Sequence, residues 1–168
     1  GGDDRIVVSL PNGVRMATTF LAIAANAVCA PLNPKYTEVE VEFFLTDLDA
    51  GLVVVDQDSS PGVRAVAERL GVPVLDLDAE AKLADAPSAS TVGRQPGDVS
   101  LILHTSGTTS RPKQVPLTHS NLLASARSIQ STLGLEPNDR CANVMPLFHI
   151  HGLVACLLAS LHAGASVV

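Results

Sequence analysis

The sequence has no lysine- or arginine-rich block: its 11 basic residues are scattered and outnumbered by 17 acidic ones, for a net charge of −6. Nothing in it is built to neutralise a phosphate backbone, which argues against a nucleic-acid partner. The three cysteines, Cys29, Cys141 and Cys156, lie in apolar surroundings without CxxC spacing. They read as reduced core thiols of an intracellular protein. No signal peptide is visible, and the longest apolar runs, near residues 20–30 and 152–161, are too short for a membrane span and are interrupted by Asn26 or bounded by His. Repeats and low-complexity tracts are missing as well. Gly1 opens the chain without Met, and Val167-Val168 close it inside what reads as a strand. A piece of a longer protein is expected, and oligomeric state is not readable from it.

What is present suits a packed α/β protein: 46% hydrophobic and 17% charged residues over 168 positions, enough for a real core in one domain or part of a larger one. Residues 5–10 are a short β-branched run, and Pro11-Asn12-Gly13 turns the chain into a helix, about residues 14–28, that is apolar almost all round. Pro31, Asn33 and Pro34 end it. Thr37 and Glu40 have capping-box spacing, and Val41, Phe44, Leu45 and Leu48 follow at i, i+3, i+4, i+7, predicting an amphipathic helix over 37–49 with a solvated acidic face of Glu38, Glu42 and Asp49. A buried strand at 51–56, a helix at 61–70, a Gly71 stop and a strand at 72–77 complete a first α/β unit, residues 1–78. Strand and helix alternation of this kind predicts parallel sheet layers flanked by helices. Asp56 reads as a polar residue opening a loop. Residues 79–97, with Ala, Asp, Ser and two prolines, read as a connecting segment, and residues 98–168 as a second, incomplete α/β unit. Within it Thr118 caps a helix carrying Leu122, Ala126, Ile129 and Leu133 on one face, and Gly134 stops that helix. A strand at 141–145, an apolar helix from about 146 to 162 and a strand from 165 follow.

The second unit carries the stretch with the most chemistry. Thr105-Ser106-Gly107-Thr108-Thr109-Ser110-Arg111-Pro112-Lys113 holds five hydroxyls, one Gly and two cations between two extended apolar runs. A turn rarely needs so many hydroxyls beside Lys and Arg, whereas a phosphate-binding loop does: Gly107 lets main-chain N–H groups face an anion, hydroxyls donate to phosphate oxygens or ligate magnesium, and Lys113 brings a point charge. A Walker A loop is ruled out, because Arg111-Pro112 precede Lys113, Gln114 follows it and no helix opens until Thr118. No GxGxxG spacing marks a dinucleotide site. His149 and His151 stand at i, i+2 at a helix start, the wrong spacing for a helical zinc pair, with no third ligand following. His104, His119 and His162 read as structural or surface residues.

Leu103-His104 together with residues 105–113 resembles the AMP-binding signature of the acyl-adenylate-forming superfamily, which includes acyl-CoA synthetases, coumarate ligases, luciferases and peptide-synthetase adenylation domains. The resemblance extends to Ala30-Pro31-Leu32-Asn33-Pro34 and to Pro146-Leu147-Phe148-His149-Ile150-His151-Gly152-Leu153, so that nearly the whole chain is similar to the front part of that family's N-terminal domain. Gln114 departs from the family pattern, which has Gly there.

The resemblance implies an ATP-dependent acid-thiol ligase: a carboxylate attacks the α-phosphate of magnesium ATP, giving an acyl-adenylate and pyrophosphate, and a thiol, usually coenzyme A, displaces AMP. By that resemblance Thr105, Ser106, Gly107, Thr108, Thr109, Ser110 and Lys113 hold the phosphates, with Thr108 on the magnesium and Lys113 aiding catalysis. His149 sits by the carboxylate and α-phosphate, and His151 lines the acyl pocket. The motifs are most similar to the oxalate-CoA ligase branch, whose second carboxylate His151 could meet. Two readings stand beside this one: a medium-chain or aromatic acyl-CoA synthetase, and a catalytically incompetent piece that only binds phosphate. The 168 residues alone are expected not to adenylate, because the family places its adenine-binding segment and C-terminal lysine downstream.

Overall fold

The computed structural model describes residues 4–56, 61–77, 93–105 and 111–168. Its centre is β1, Arg5–Ser9, which pairs in parallel with β2, Val28–Pro31, on one side and with β3, Leu52–Val55, on the other. Beyond β3 lies β4, Val74–Asp76, and beyond β2 lies β5, Val99–Thr105. The last strand, β6, Lys113–Thr118, runs antiparallel to β5 and closes the order β4-β3-β1-β2-β5-β6. The sheet is therefore mixed and mostly parallel. The strands on either side of the connecting segment, of which residues 79–92 lie outside the described ones, hydrogen-bond within one sheet.

Both faces of this sheet are covered, and strand periodicity decides what each face holds. Val7, Val28, Ala30, Val53, Val55 and Ile102 point to one side, where they pack with α2, Glu38–Asp47, and α3, Pro61–Leu70. Their neighbours Val8, Cys29, Val54 and Leu101 point to the other, against α1, Val14–Ala24, and α4, His119–Leu133. A π-helical segment, His151–Leu158, joins that second layer and tightens into α5, Ala159–His162. Two short strands, β7, Arg140–Cys141, and β8, Ser166–Val167, pair in parallel as a separate ribbon.

Local chemistry sets the helix ends. Thr37 and Glu40 form the expected capping box, the Thr37 backbone N–H donating to the Glu40 carboxylate at 2.7 Å. Thr118 caps α4 by accepting from the Asn121 N–H at 3.2 Å, and Gly134 ends it at φ 64°, a left-handed conformation that costs glycine nothing. Asp56 is bound to Arg15 at 2.6 Å, which leaves it in a structural role at the end of β3. Cys29 is fully buried, and burial pushes its thiol far up; Cys141 and Cys156 are only partly buried and hydrogen-bond each other.

Two expectations are corrected. The helix expected over 14–28 ends at Ala24, and Val28–Pro31 is a strand. All four of its residues are buried, so periodicity could not separate it from the end of an apolar helix. The strand expected over 141–145 is only β7, because Asn143 turns the chain: its Oδ1 accepts from the Met145 N–H at 3.0 Å, an Asx turn. The apolar helix after it is π-wound up to Leu158, with the Ala159 N–H bonded to the Val154 carbonyl, a period that a uniformly apolar stretch does not distinguish from the α-helical one.

Within α2 the two classes of apolar residue are cleanly separated: Leu45 is 1% exposed and Val39 79%. Leu45→Ala is expected to lower stability by about 2–5 kcal/mol. Val39→Ala should stay within about 0.5 kcal/mol. Chemical denaturation of the pair measures both.

Candidate functional site

The last pair of β5 and β6 is formed by Thr105 and Lys113, the first and last residues of the signature. One step inward His104 opposes Gln114. Alternation then sorts these four. Leu101, Leu103 and Leu117 pack in the α1/α4 layer, so Thr105 and Lys113, which share their parity, point to that face. Ile102 packs in the α2/α3 layer, and His104 and Gln114 point there with it. Pro116, without an N–H to donate, is tolerated because β6 is the edge strand. Ser106, Gly107, Thr108, Thr109 and Ser110 lie outside the described residues. Lys113 is exposed and forms no ion pair with any described residue, a cation available to a polyanion.

The second motif is brought to the same place. β1, β2 and β5 are parallel, so their carboxyl ends form one edge of the sheet. Just beyond β1, Asn12 Oδ1 accepts from the Leu147 N–H at 2.9 Å, tethering residues 146–149 at that edge. Leu147 is buried in the cluster of Leu101, on the face to which Thr105 and Lys113 point. His149 follows, exposed, its ring 4.8 Å from that of Phe148 and its N–H bonded to the Pro146 carbonyl at 3.1 Å. His151 starts the π-helical segment, also exposed. Edge and face thus coincide for Thr105, Lys113 and the His149 segment, the arrangement in which open α/β sheets place ligands.

The turn before the π-helix is tightly built. Asn143 Nδ2 donates to the Gly152 carbonyl at 3.3 Å, and a side chain at Gly152 would run into the Pro146 carbonyl oxygen and come within 3.0 Å of that of Met145. Only glycine fits that approach. Behind the hairpin, Asp47 Oδ2 receives His104 Nε2 at 3.0 Å and Gln114 Nε2 at 2.9 Å. The hydrogen bond from His104 first, then that from Gln114, hold the Asp47 carboxyl below its usual range.

Sequence reasoning did not single out Asn12, Asn143 or Asp47. Asn12 and Asn143 carried the signal of turn residues, whereas Asp47 looked like one more acid on an exposed helix. Among the described residues no group of three or more His, Cys, Asp or Glu could hold a metal; the expected magnesium ligand, Thr108, lies outside them. No described helix is long and apolar enough to cross a membrane.

A lysine that forms no ion pair with any described residue, sharing a face with a histidine motif at the carboxyl edge of a mostly parallel sheet, invites comparison with nucleotide-using enzymes. The model of the family described as "AMP-binding enzyme" matches residues 1–168. The chain belongs to the AMP-binding enzyme family. It is 42% identical over 176 residues to an oxalate-CoA ligase of Arabidopsis thaliana, covering 98% of this chain and 34% of that protein. It is 37% identical over 150 residues to a mitochondrial malonate-CoA ligase of Mus musculus, covering 86% of this chain and 25% of that one. Among solved structures, ATP-bound MatB from Rhodopseudomonas palustris superposes with a TM-score of 0.87 at 31% identity, over 99% of this chain and 35% of that one. The chain therefore spans about a third of the length of such relatives, in the N-terminal region where the family signature lies.

Two outcomes test this geometry. Gly152→Ala is expected to cost about 1–3 kcal/mol of stability by overpacking the turn, measured by thermal denaturation. Asp47 has a depressed folded-state pKa, so its contribution to stability is fully present above the unfolded carboxylate value of about 3.9 and is lost as pH falls through the folded value. Asp47→Asn should therefore lower the neutral plateau of a stability-versus-pH curve and flatten its acid limb, the two proteins converging as pH falls through the folded value.

Proposed function

We propose that the full-length protein containing this chain is an ATP-dependent acid-CoA ligase of the AMP-forming type. The observation that carries the reading is the placement of Thr105 and Lys113 on the face and edge that also hold the Phe148-His149 turn, in a chain of the AMP-binding family. Magnesium ATP is the substrate that supplies the adenylyl group and leaves pyrophosphate. In this reading Lys113 and the hydroxyls of residues 105, 106 and 108–110 hold the β- and γ-phosphates, with Gly107 opening the backbone to them and Thr108 on the magnesium. Phosphoryl-group chemistry of this kind asks chiefly for positioning and charge stabilisation, which such residues provide. His149 donates a hydrogen bond where charge develops between carboxylate and α-phosphate.

For the acid we propose a small dicarboxylate, oxalate first. The relatives named above carry oxalate and malonate in their names, and His151, exposed at the start of the π-helical segment, suits a second carboxylate. Coenzyme A is the proposed acceptor, and an intracellular site, cytoplasmic or peroxisomal, the proposed location.

Exchange of labelled pyrophosphate into ATP, run on the full-length protein with a panel of acids, tests the reading. Oxalate should support the fastest exchange; a preference for long-chain or aromatic acids would sink the substrate assignment and leave the ligase. Lys113→Ala should slow exchange by about a hundredfold, the usual loss when one preorganised charge-stabilising group is removed. The 168 residues alone should show none.

A further inference from the structure

We infer that Asp47 is a positioning residue for the phosphate-binding hairpin: acting from the back of the sheet through His104 and Gln114, it fixes Lys113 relative to Thr105. The inference rests on the ligase reading for its consequence in catalysis, but its structural half stands on the hairpin alone.

Both members of the cross-strand pair directly inboard of Thr105 and Lys113 converge on this one side chain. Asp47 Oδ2 accepts from His104 on β5 and from Gln114 on β6, and the Gln114 amide also donates to the Asp47 backbone carbonyl at 2.6 Å. A slide of one strand along the other, which would carry Lys113 past Thr105, must stretch one of these bonds. The ring of His104 has little room to follow such a slide, being 7% exposed and packed edge-on against Phe44 at 4.7 Å.

The post to which the hairpin is tied is itself fixed. α2 ends without a basic residue in its last turn, leaving carbonyls that need donors. Arg5, on the central strand, donates to the Leu48 carbonyl at 2.7 Å, and Gln114 serves that of Asp47. Leu45 and Leu48 anchor the same turn in the core, at 1% and 0% exposure. The end of an edge-strand pair is ordinarily among the less stable parts of a sheet; here its His104–Gln114 pair is braced against the centre of the domain. Gln114 thereby gains a purpose. Glycine at that position has no side chain to close the brace, so this chain's departure from the family pattern adds a second strand to the anchor.

Because Thr105 and Lys113 point to the opposite face, Asp47 cannot touch the nucleotide, and its loss should read as looser placement rather than lost chemistry. Asp47→Ala in the full-length protein is expected to speed amide deuterium exchange in residues 101–105 and 113–118 and to raise the KM for magnesium ATP about tenfold, with kcat within about twofold, the pattern of weakened ground-state binding. Asp47→Asn, which keeps one acceptor and the size of the side chain, should give an intermediate KM and guards against a variant that fails to fold. Gln114→Leu added to Asp47→Ala should cost less than it does in the wild type, since the side-chain bond between the two is already gone and only the bond to the residue 47 carbonyl is left to lose. Glu42→Ala, on the same helix as Asp47, removes an exposed 2.8 Å pair with Arg69 of α3 and should change neither readout.

Unchanged deuterium exchange in the hairpin of Asp47→Ala overturns the proposal whatever the activity. Faster exchange with an unchanged KM overturns the role in nucleotide binding, as does full additivity with Gln114→Leu. A wild type that exchanges no pyrophosphate with any acid overturns the ligase reading instead, and the deuterium arm still decides on Asp47.

Discussion

The side chains of a strand point alternately to the two faces of its sheet, and in this protein that period of two organises both the core and the site. Neighbours such as Val7 and Val8, or Val53, Val54 and Val55, feed separate apolar layers. Every helix has to settle on one face or the other, and the alternation continues past the last core residue of β5 into the polar residues beyond it. Leu101 and Leu103 commit Thr105 to one side; Ile102 commits His104 to the other. A shift of register by one residue would exchange them, sending the residues of the brace into the site and those of the site into the back of the sheet.

The hairpin consequently has a working face and a supporting face. On the working face Lys113 stands exposed near the edge where Asn12 ties down Leu147 and, through it, the Phe148-His149 turn. On the supporting face His104 and Gln114 hand the hairpin to the end of α2. The division suits the phosphate-holding role proposed for Thr105 and Lys113. Cations and hydroxyls gathered to bind phosphate repel one another or compete for partners when it is absent, and their placement has to come from groups that do not themselves bind.

Much of this was readable in the residues, for identifiable reasons. Capping residues report local geometry, and Thr37 with Glu40, Thr118 and Gly134 all sit where their chemistry predicts. The signature at 105–113 is recognisable because its hydroxyls and cations are contiguous, and the strands that bracket it are short apolar runs. Val28–Pro31 was hidden by its own burial: a strand covered on both faces shows no alternation, and it follows directly on an apolar helix. Asn143 was hidden because its effect is a single side-chain bond to the Met145 N–H. Asp47 was hidden by distance, lying 57 positions from His104 and 67 from Gln114.

By itself, then, the sequence determined most of the local states and the inventory of reactive groups: most of the helices and strands, where they are capped, where hydroxyls and cations are gathered, and which family the motifs resemble. Those properties depend on backbone preferences and on residues close together in the chain. Tertiary structure alone decided that β5 adds to β2 rather than starting a sheet of its own, that the Phe148-His149 turn shares an edge and a face with Lys113, and that Asp47 reaches across to hold the hairpin from behind. Each of these is a contact between segments far apart in sequence, set by which apolar surfaces can be buried together, and no local pattern encodes it.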